Sequence, residues 1–135
     1  MRAEWIEIKR GDVQPQYAGI YVTMNAKGHI VMSKVTYNIV GAPEAFQILY
    51  DRANNRIGLK PTHKSMRNAY PALVSSRAGA KMVKAYRLIA EQRIDLPHTL
   101  RFYDADIDES GILILDLRTA KPCPRAMAKK KKVNS

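Results

Sequence analysis

The chain has 135 residues, enough for one domain or for two small lobes that share a core. Its net charge of +11 favours a polyanionic partner, nucleic acid above all, although a merely basic surface is the alternative. The single cysteine, Cys123, excludes an internal disulfide and a metal site built from cysteines of one chain.

No segment approaches the roughly 18 apolar residues of a membrane-spanning helix. The first ten residues also lack the apolar core of a signal peptide. Together with the lone cysteine, these features predict a soluble cytoplasmic protein with no membrane partner.

The stretch 21–61 predicts a strand pair, a short helix and a hairpin in succession. Apolar and polar residues alternate as in a half-buried strand, and a second apolar run follows Gly28. Ser33 is placed to N-cap a helix that ends at Gly41, a residue type that tolerates the left-handed conformation. Turn residues then separate two apolar runs, which predicts hairpin strands at 46–50 and 56–59.

The second half carries the strongest helix signal of the chain, over residues 80–94. Five of its side chains share one helical face: Met82, Val83, Tyr86, Ile89 and Ala90. Strand-like residues precede it at 70–76, and a hairpin is predicted with strands at 99–103 and 111–117. Lys, Pro and small residues dominate 119–135, which predicts a flexible, disordered basic tail.

The two halves repeat the same order of elements, and the dipeptide Tyr50-Asp51 recurs as Tyr103-Asp104. This predicts a single domain over residues 1–118, with units at roughly 17–61 and 68–118. The expected fold class is α+β and mostly β, a barrel built from two strand-helix-hairpin units.

A known family is similar to the first half. The residues Gly28-His29-Ile30-Val31-Met32-Ser33, followed after seven residues by Gly41 and an apolar strand pair, resemble the swapped-hairpin DNA-binding domain of AbrB-type transition-state regulators and MazE-type antitoxins. Ser33 stands where the family has Pro, and His29 where it has Arg. In the family two chains exchange hairpins, so the resemblance implies that two units in one chain complete the same barrel, with homodimerisation through a further surface left open.

The resemblance also implies which residues contact DNA. In the first unit they are Lys27, His29 and Lys34, and His29 and Asn38 are the candidates for base-edge contacts. The repeat adds the basic positions of the second unit, which are Arg77, Lys81, Lys84 and Arg87. The terminal run adds nonspecific phosphate contacts through Lys129, Lys130, Lys131 and Lys132.

No residue pattern predicts catalysis, a metal or a cofactor. The three histidines, His29, His63 and His98, fall in unrelated contexts, and no Walker or dinucleotide motif is present. The residues from Asp104 onward imitate the start of a calcium loop, but Glu109 occupies the position that needs Gly and Leu115 the position that needs Glu.

The sequence therefore favours a small DNA-binding protein of the swapped-hairpin type, a transcriptional regulator whose lysines and arginines contact duplex phosphates. One alternative is a protein-interaction module, an inhibitor or assembly subunit whose basic face docks on an acidic protein. An RNA-associated factor rests on the same charge and stays open.

Overall fold

The computed structural model describes residue 5 and residues 20–123. Within them the chain is α+β and mostly β. The strands are β1 Val22–Met24, β2 His29–Met32, β3 Ala45–Asp51, β4 Arg56–Thr62, β5 Ala69–Pro71, β6 Leu73–Val74, β7 Lys81–Lys84, β8 Leu100–Arg101, β9 Asp106–Ile107, β10 Leu113–Asp116 and β11 Lys121–Pro122. The helices are α1 Lys34–Ile39 and α2 Tyr86–Gln92.

The strands form two antiparallel sheets. Sheet A has the order β11-β8-β1-β2-β7-β6, and sheet B has the order β5-β3-β4-β10-β9. The two sheets do not close into a barrel. Both edge strands of sheet A have only two residues, and β11 contains Pro122, which has no N–H to extend a ladder.

Each half of the chain contributes one hairpin to each sheet. In sheet A, β1–β2 lies beside β7–β6, and in sheet B, β3–β4 lies beside β10–β9. The two halves are joined where β2 pairs with β7 and where β4 pairs with β10. The inward side chains of both sheets form one core, with Phe46, Phe102 and Met24 among the largest buried side chains.

The first half folds as its local signals predict. The Ser33 side chain accepts the N–H of Thr36 and caps α1, and Gly41 follows the helix with φ +94°. The hydroxyl of the buried Thr36 accepts the N–H of Tyr21 at 2.7 Å, which fixes the start of α1 against the strand that follows Tyr21. The hairpin turn is held by Asp51, whose carboxylate accepts from Asn54 and Arg56.

The predicted helix over 80–94 is wrong in its first third. Residues Lys81–Lys84 form β7, because they find two partners, β2 and β6, that complete their backbone hydrogen bonds. The helix begins only after Ala85, and Arg93 ends it in the left-handed conformation at φ +53°.

The second predicted hairpin is also wrong. Strand β8 pairs with β1 and β11, while β10 pairs with β4 and with β9. The N–H of the buried Phe102 donates to the Val22 carbonyl at 3.0 Å, which holds this segment on sheet A. Strand β9 lies inside the segment expected to be a turn. Tyr103-Asp104 lies in the turn between β8 and β9, whereas Tyr50-Asp51 ends β3, so the two dipeptides occupy different places in the fold.

The predicted tail begins too early, because residues 121–122 form β11. Cys123 is buried, and its N–H donates to the Thr99 carbonyl at 2.7 Å. The lysine run Lys129, Lys130, Lys131 and Lys132 lies outside the described residues. Of the helices that the structure describes, neither is long and apolar enough to cross a membrane.

Candidate nucleic-acid interface

Sheet A has a face that points away from the core, here called the outer face. Side chains on β1 and β2 alternate, so that Val22, Met24 and Ile30 are buried while Thr23 and Val31 are partly exposed. Residues directly opposite each other on antiparallel strands share a face. The register therefore defines one row across the outer face, from β11 to β6: Lys121, Arg101, Thr23, Val31, Met82 and Leu73.

A basic cluster lies at one end of the β2–β7 pair, beside the turn at Gly28. It is called the Gly28 cluster and consists of Lys27, His29 and Lys84. His29 and Lys84 are directly opposite each other, and the Asn25 side-chain oxygen accepts the N–H groups of both Lys27 and His29 at 3.0 Å. The structure thus brings together three of the predicted contact residues.

The position of this cluster depends on Gly28. Its φ is +86°, and a Cβ placed there would lie 2.7 Å from Ile89 Cδ1 and 3.0 Å from Tyr86 Cα. The Gly28 carbonyl also accepts the N–H of Ala85 at 2.9 Å. The start of α2 therefore packs directly on the β1–β2 turn and holds Lys27 and His29 in place.

A second group, the Gly79 cluster, lies at the other end of the same strand pair and consists of Lys34, Arg77 and Lys81. The aliphatic part of Lys34 covers Gly79, where a Cβ would lie 2.8 Å from Lys34 Cδ. Arg77 belongs to the same exposed turn. The two helices thus make reciprocal contacts, since each begins against the turn glycine of the other half.

Lys81 leaves the sheet on the inner side, because it lies directly opposite the buried Met32. Its ammonium group lies over the Tyr37 ring, 5.3 Å from the centroid. Burial and, to a smaller extent, the charge of Glu44 raise the pKa of Tyr37, so the phenol is neutral at pH 7. Lys81 therefore belongs to the rim of sheet A near α1 and not to the outer face.

The two remaining predicted residues lie on the helices. Asn38 is exposed on α1, one turn after Lys34 of the Gly79 cluster. Arg87 is exposed on α2, but its guanidinium donates to Glu91 at 2.7 Å, and both line a cleft of about 670 Å³ with Tyr70 and Lys60. Glu91 therefore compensates the charge of Arg87.

Sequence reasoning missed Arg101, which lies on the outer face on β8, next to the edge strand β11. Its guanidinium lies 4.5 Å from the ring centroid of Tyr21 and 4.5 Å from that of Tyr103. Among the described residues no carboxylate pairs with Arg101, whereas Arg56, Arg87 and Arg118 each bind one. The spacing of Arg101 and Tyr103 could have suggested a shared strand face, but Tyr21 comes near only because β8 pairs with β1.

Charge separates between the two sheets. The strands of sheet A contain four basic residues and no acidic one. Those of sheet B contain two basic and three acidic residues, and β9 lies within the acidic segment 104–109. The strands of sheet A are therefore more basic than those of sheet B.

The described residues contain no group of three His, Cys, Asp or Glu side chains that could hold a metal ion. Asp108 instead accepts the N–H groups of Ser110 and Ile112 and so shapes the β9–β10 turn. Comparison with known proteins finds no matching family model, no matching curated protein and no matching solved structure.

Proposed function

We propose that this protein binds nucleic acid, and that sheet A with its two turn clusters contacts the phosphates. The observation that carries the proposal is the separation of charge, because every strand of sheet A lacks acidic residues while the chain carries +11 overall. A face of this kind attracts a polyanion and gains affinity from the release of its counterions.

The clusters suit phosphate contacts because most of their charges are exposed and lie on or beside the turns at Gly28 and Gly79. Lys27 and Lys84 are exposed, and Asn25 and Gly28 fix the turn beneath them. The two clusters lie about three residues apart along the β2–β7 pair, which is about 10 Å at the usual rise of a strand. Phosphates along one strand of nucleic acid can therefore reach both.

The proposal extends to the swapped-hairpin architecture. It is supported by the hairpin-helix-hairpin order of the first half, which the second half repeats with β8 inserted after α2, and by the reciprocal packing of each helix on the other half's turn glycine. Through that resemblance, duplex DNA is the expected ligand and transcriptional regulation the expected role.

The test is a fluorescence anisotropy titration of nuclease-treated protein with labelled duplex DNA, single-stranded DNA and RNA at two salt concentrations. We expect measurable affinity at low salt and a linear fall of log K with log salt, with a slope of about 0.7–0.9 for each neutralised phosphate. No affinity for any of the three at low salt contradicts the proposal. Capture of an acidic protein by such nuclease-treated material would then support the interaction-module alternative.

A further inference from the structure

We propose that the outer face of sheet A binds single-stranded nucleic acid, with an unpaired base stacked on Tyr103 and the adjoining phosphate held by Arg101. This deepens the proposed function and rests on it. It departs from the duplex ligand that the sequence resemblance implies, because the geometry of the outer face favours unpaired bases.

The first argument is the contact of Arg101 with two aromatic rings. Its guanidinium lies over the rings of both Tyr21 and Tyr103, each centroid 4.5 Å away. These contacts hold the guanidinium on the outer face, where its N–H donors can meet an anion. No carboxylate takes those donors within the described part of the chain, and a phosphate is the ligand that this planar fork recognises best.

The second argument is the exposure of Tyr103. The residue is 43% exposed although one side of its ring meets Arg101. An unpaired base can therefore stack on the Tyr103 ring. Such stacking tolerates any sequence because every base has a π-face. In a duplex the base faces are already stacked on each other, so Tyr103 has nothing comparable to bind.

The third argument concerns the rest of the surface. The row from Lys121 to Leu73 crosses five strand intervals, about 24 Å in all, and passes from basic residues to the apolar Val31 and Met82. A row that combines cations with apolar side chains suits a single strand of nucleic acid, in which phosphates and bases are both exposed. Neither of the described helices is long enough to read bases along the major groove of a duplex, since α1 has six residues and α2 has seven.

The experiment measures the Kd of a labelled oligothymidylate, of the same strand with abasic sites, and of a duplex of equal length. Wild type is compared with Tyr103→Leu, Tyr103→Phe and the control Tyr86→Leu, whose Tyr86 is 67% exposed on α2 with no cation stacked on it. Circular dichroism confirms that each variant is folded. Because both tyrosines are exposed, we expect no loss of fold.

We expect Tyr103→Leu to weaken oligothymidylate binding about 5- to 150-fold, the range of one base-stacking contact. Tyr103→Phe keeps the ring and stays within about twofold of wild type, as does Tyr86→Leu. The abasic strand binds wild type more weakly by a similar factor and is insensitive to Tyr103→Leu.

Three results overturn this inference while leaving the proposed function intact. They are a duplex that binds more tightly than the single strand, an abasic strand that binds as well as the intact one, and a Tyr103→Leu variant of unchanged affinity. Absence of binding to all three ligands at low salt overturns both proposals. A fall in affinity shared equally by Tyr86→Leu also contradicts the assignment, since it would not be specific to Tyr103.

Discussion

The packing of α2 on the β1–β2 turn can be tested by replacing Gly28 with alanine. Gly28 has φ +86°, and a side chain in this conformation costs about 1–2 kcal/mol. The new Cβ would also lie 2.7 Å from Ile89 Cδ1 and 3.0 Å from the Tyr86 backbone. The Ile89 side chain can move, but the backbone contact forces α2 away from the turn and adds about 1–3 kcal/mol.

Gly28→Ala should therefore lower the free energy of unfolding by about 2–5 kcal/mol in total. The matched control is Gly41→Ala, because Gly41 has a similar φ of +94° but no atom within 4 Å of the position that a new Cβ would take. The control should lose only the conformational part, about 1–2 kcal/mol. Urea unfolding followed by circular dichroism measures both, and equal losses for the two variants would refute the close packing of α2 on this turn.

Three further predictions concern stability. Hydrogen bonds, first from Asn54 and then from Arg56, lower the pKa of Asp51 from 3.8 to about 2. The carboxylate therefore stabilises the fold above pH 3.8, and this contribution is lost as the pH falls through about 2. The urea midpoint of wild type should fall across that pH window, and an equal fall in Asp51→Asn would contradict the assignment. Ser33→Ala removes the α1 cap and should cost about 1 kcal/mol in urea unfolding, and a cost near zero would show that the cap is dispensable. Arg93→Gly relieves the left-handed conformation at the end of α2 and should raise the free energy of unfolding by roughly 0.5–1 kcal/mol, whereas a loss of stability would mean that the Arg93 side chain contributes more than its backbone strain costs.

The first half of the fold could be predicted because its signals are local. The Ser33 cap, the glycines at 28 and 41, and the turn chemistry at 51–55 each specify the backbone within a few residues. The structure confirms the strand pair, the helix and the hairpin at nearly the expected residues.

The second half could not be predicted in the same way, because its strands are defined by distant partners. Met82 and Val83 fit a helical face as well as a strand, and only pairing with β2 makes their segment β7. Likewise, Leu100 and Arg101 pair with β1, whereas sequence proximity favours a hairpin with β10. The contact of Arg101 with Tyr21 depends on this pairing, so Arg101 escaped prediction.

The predicted contact residues show the same difference between local signals and pairing with distant strands. Lys27 and His29 are close in sequence, and the pairing of β2 with β7 adds Lys84 to them. Lys84 and Arg87 are predicted together from the repeat, but Lys84 lies on β7 whereas Arg87 lies on α2 and binds Glu91.

The central claim is that sheet A, and not the overall charge, binds nucleic acid. The most direct test compares two double variants of equal net charge, Lys84→Glu with Arg101→Glu on sheet A, and Arg52→Glu with Lys60→Glu on the sheet B side. If sheet A is the interface, the first pair lowers the affinity and makes the slope of log K against log salt shallower by about 1.4–1.8, the share of two phosphate contacts. The second pair should keep the wild-type slope, and equal losses of slope in both pairs would contradict the claim.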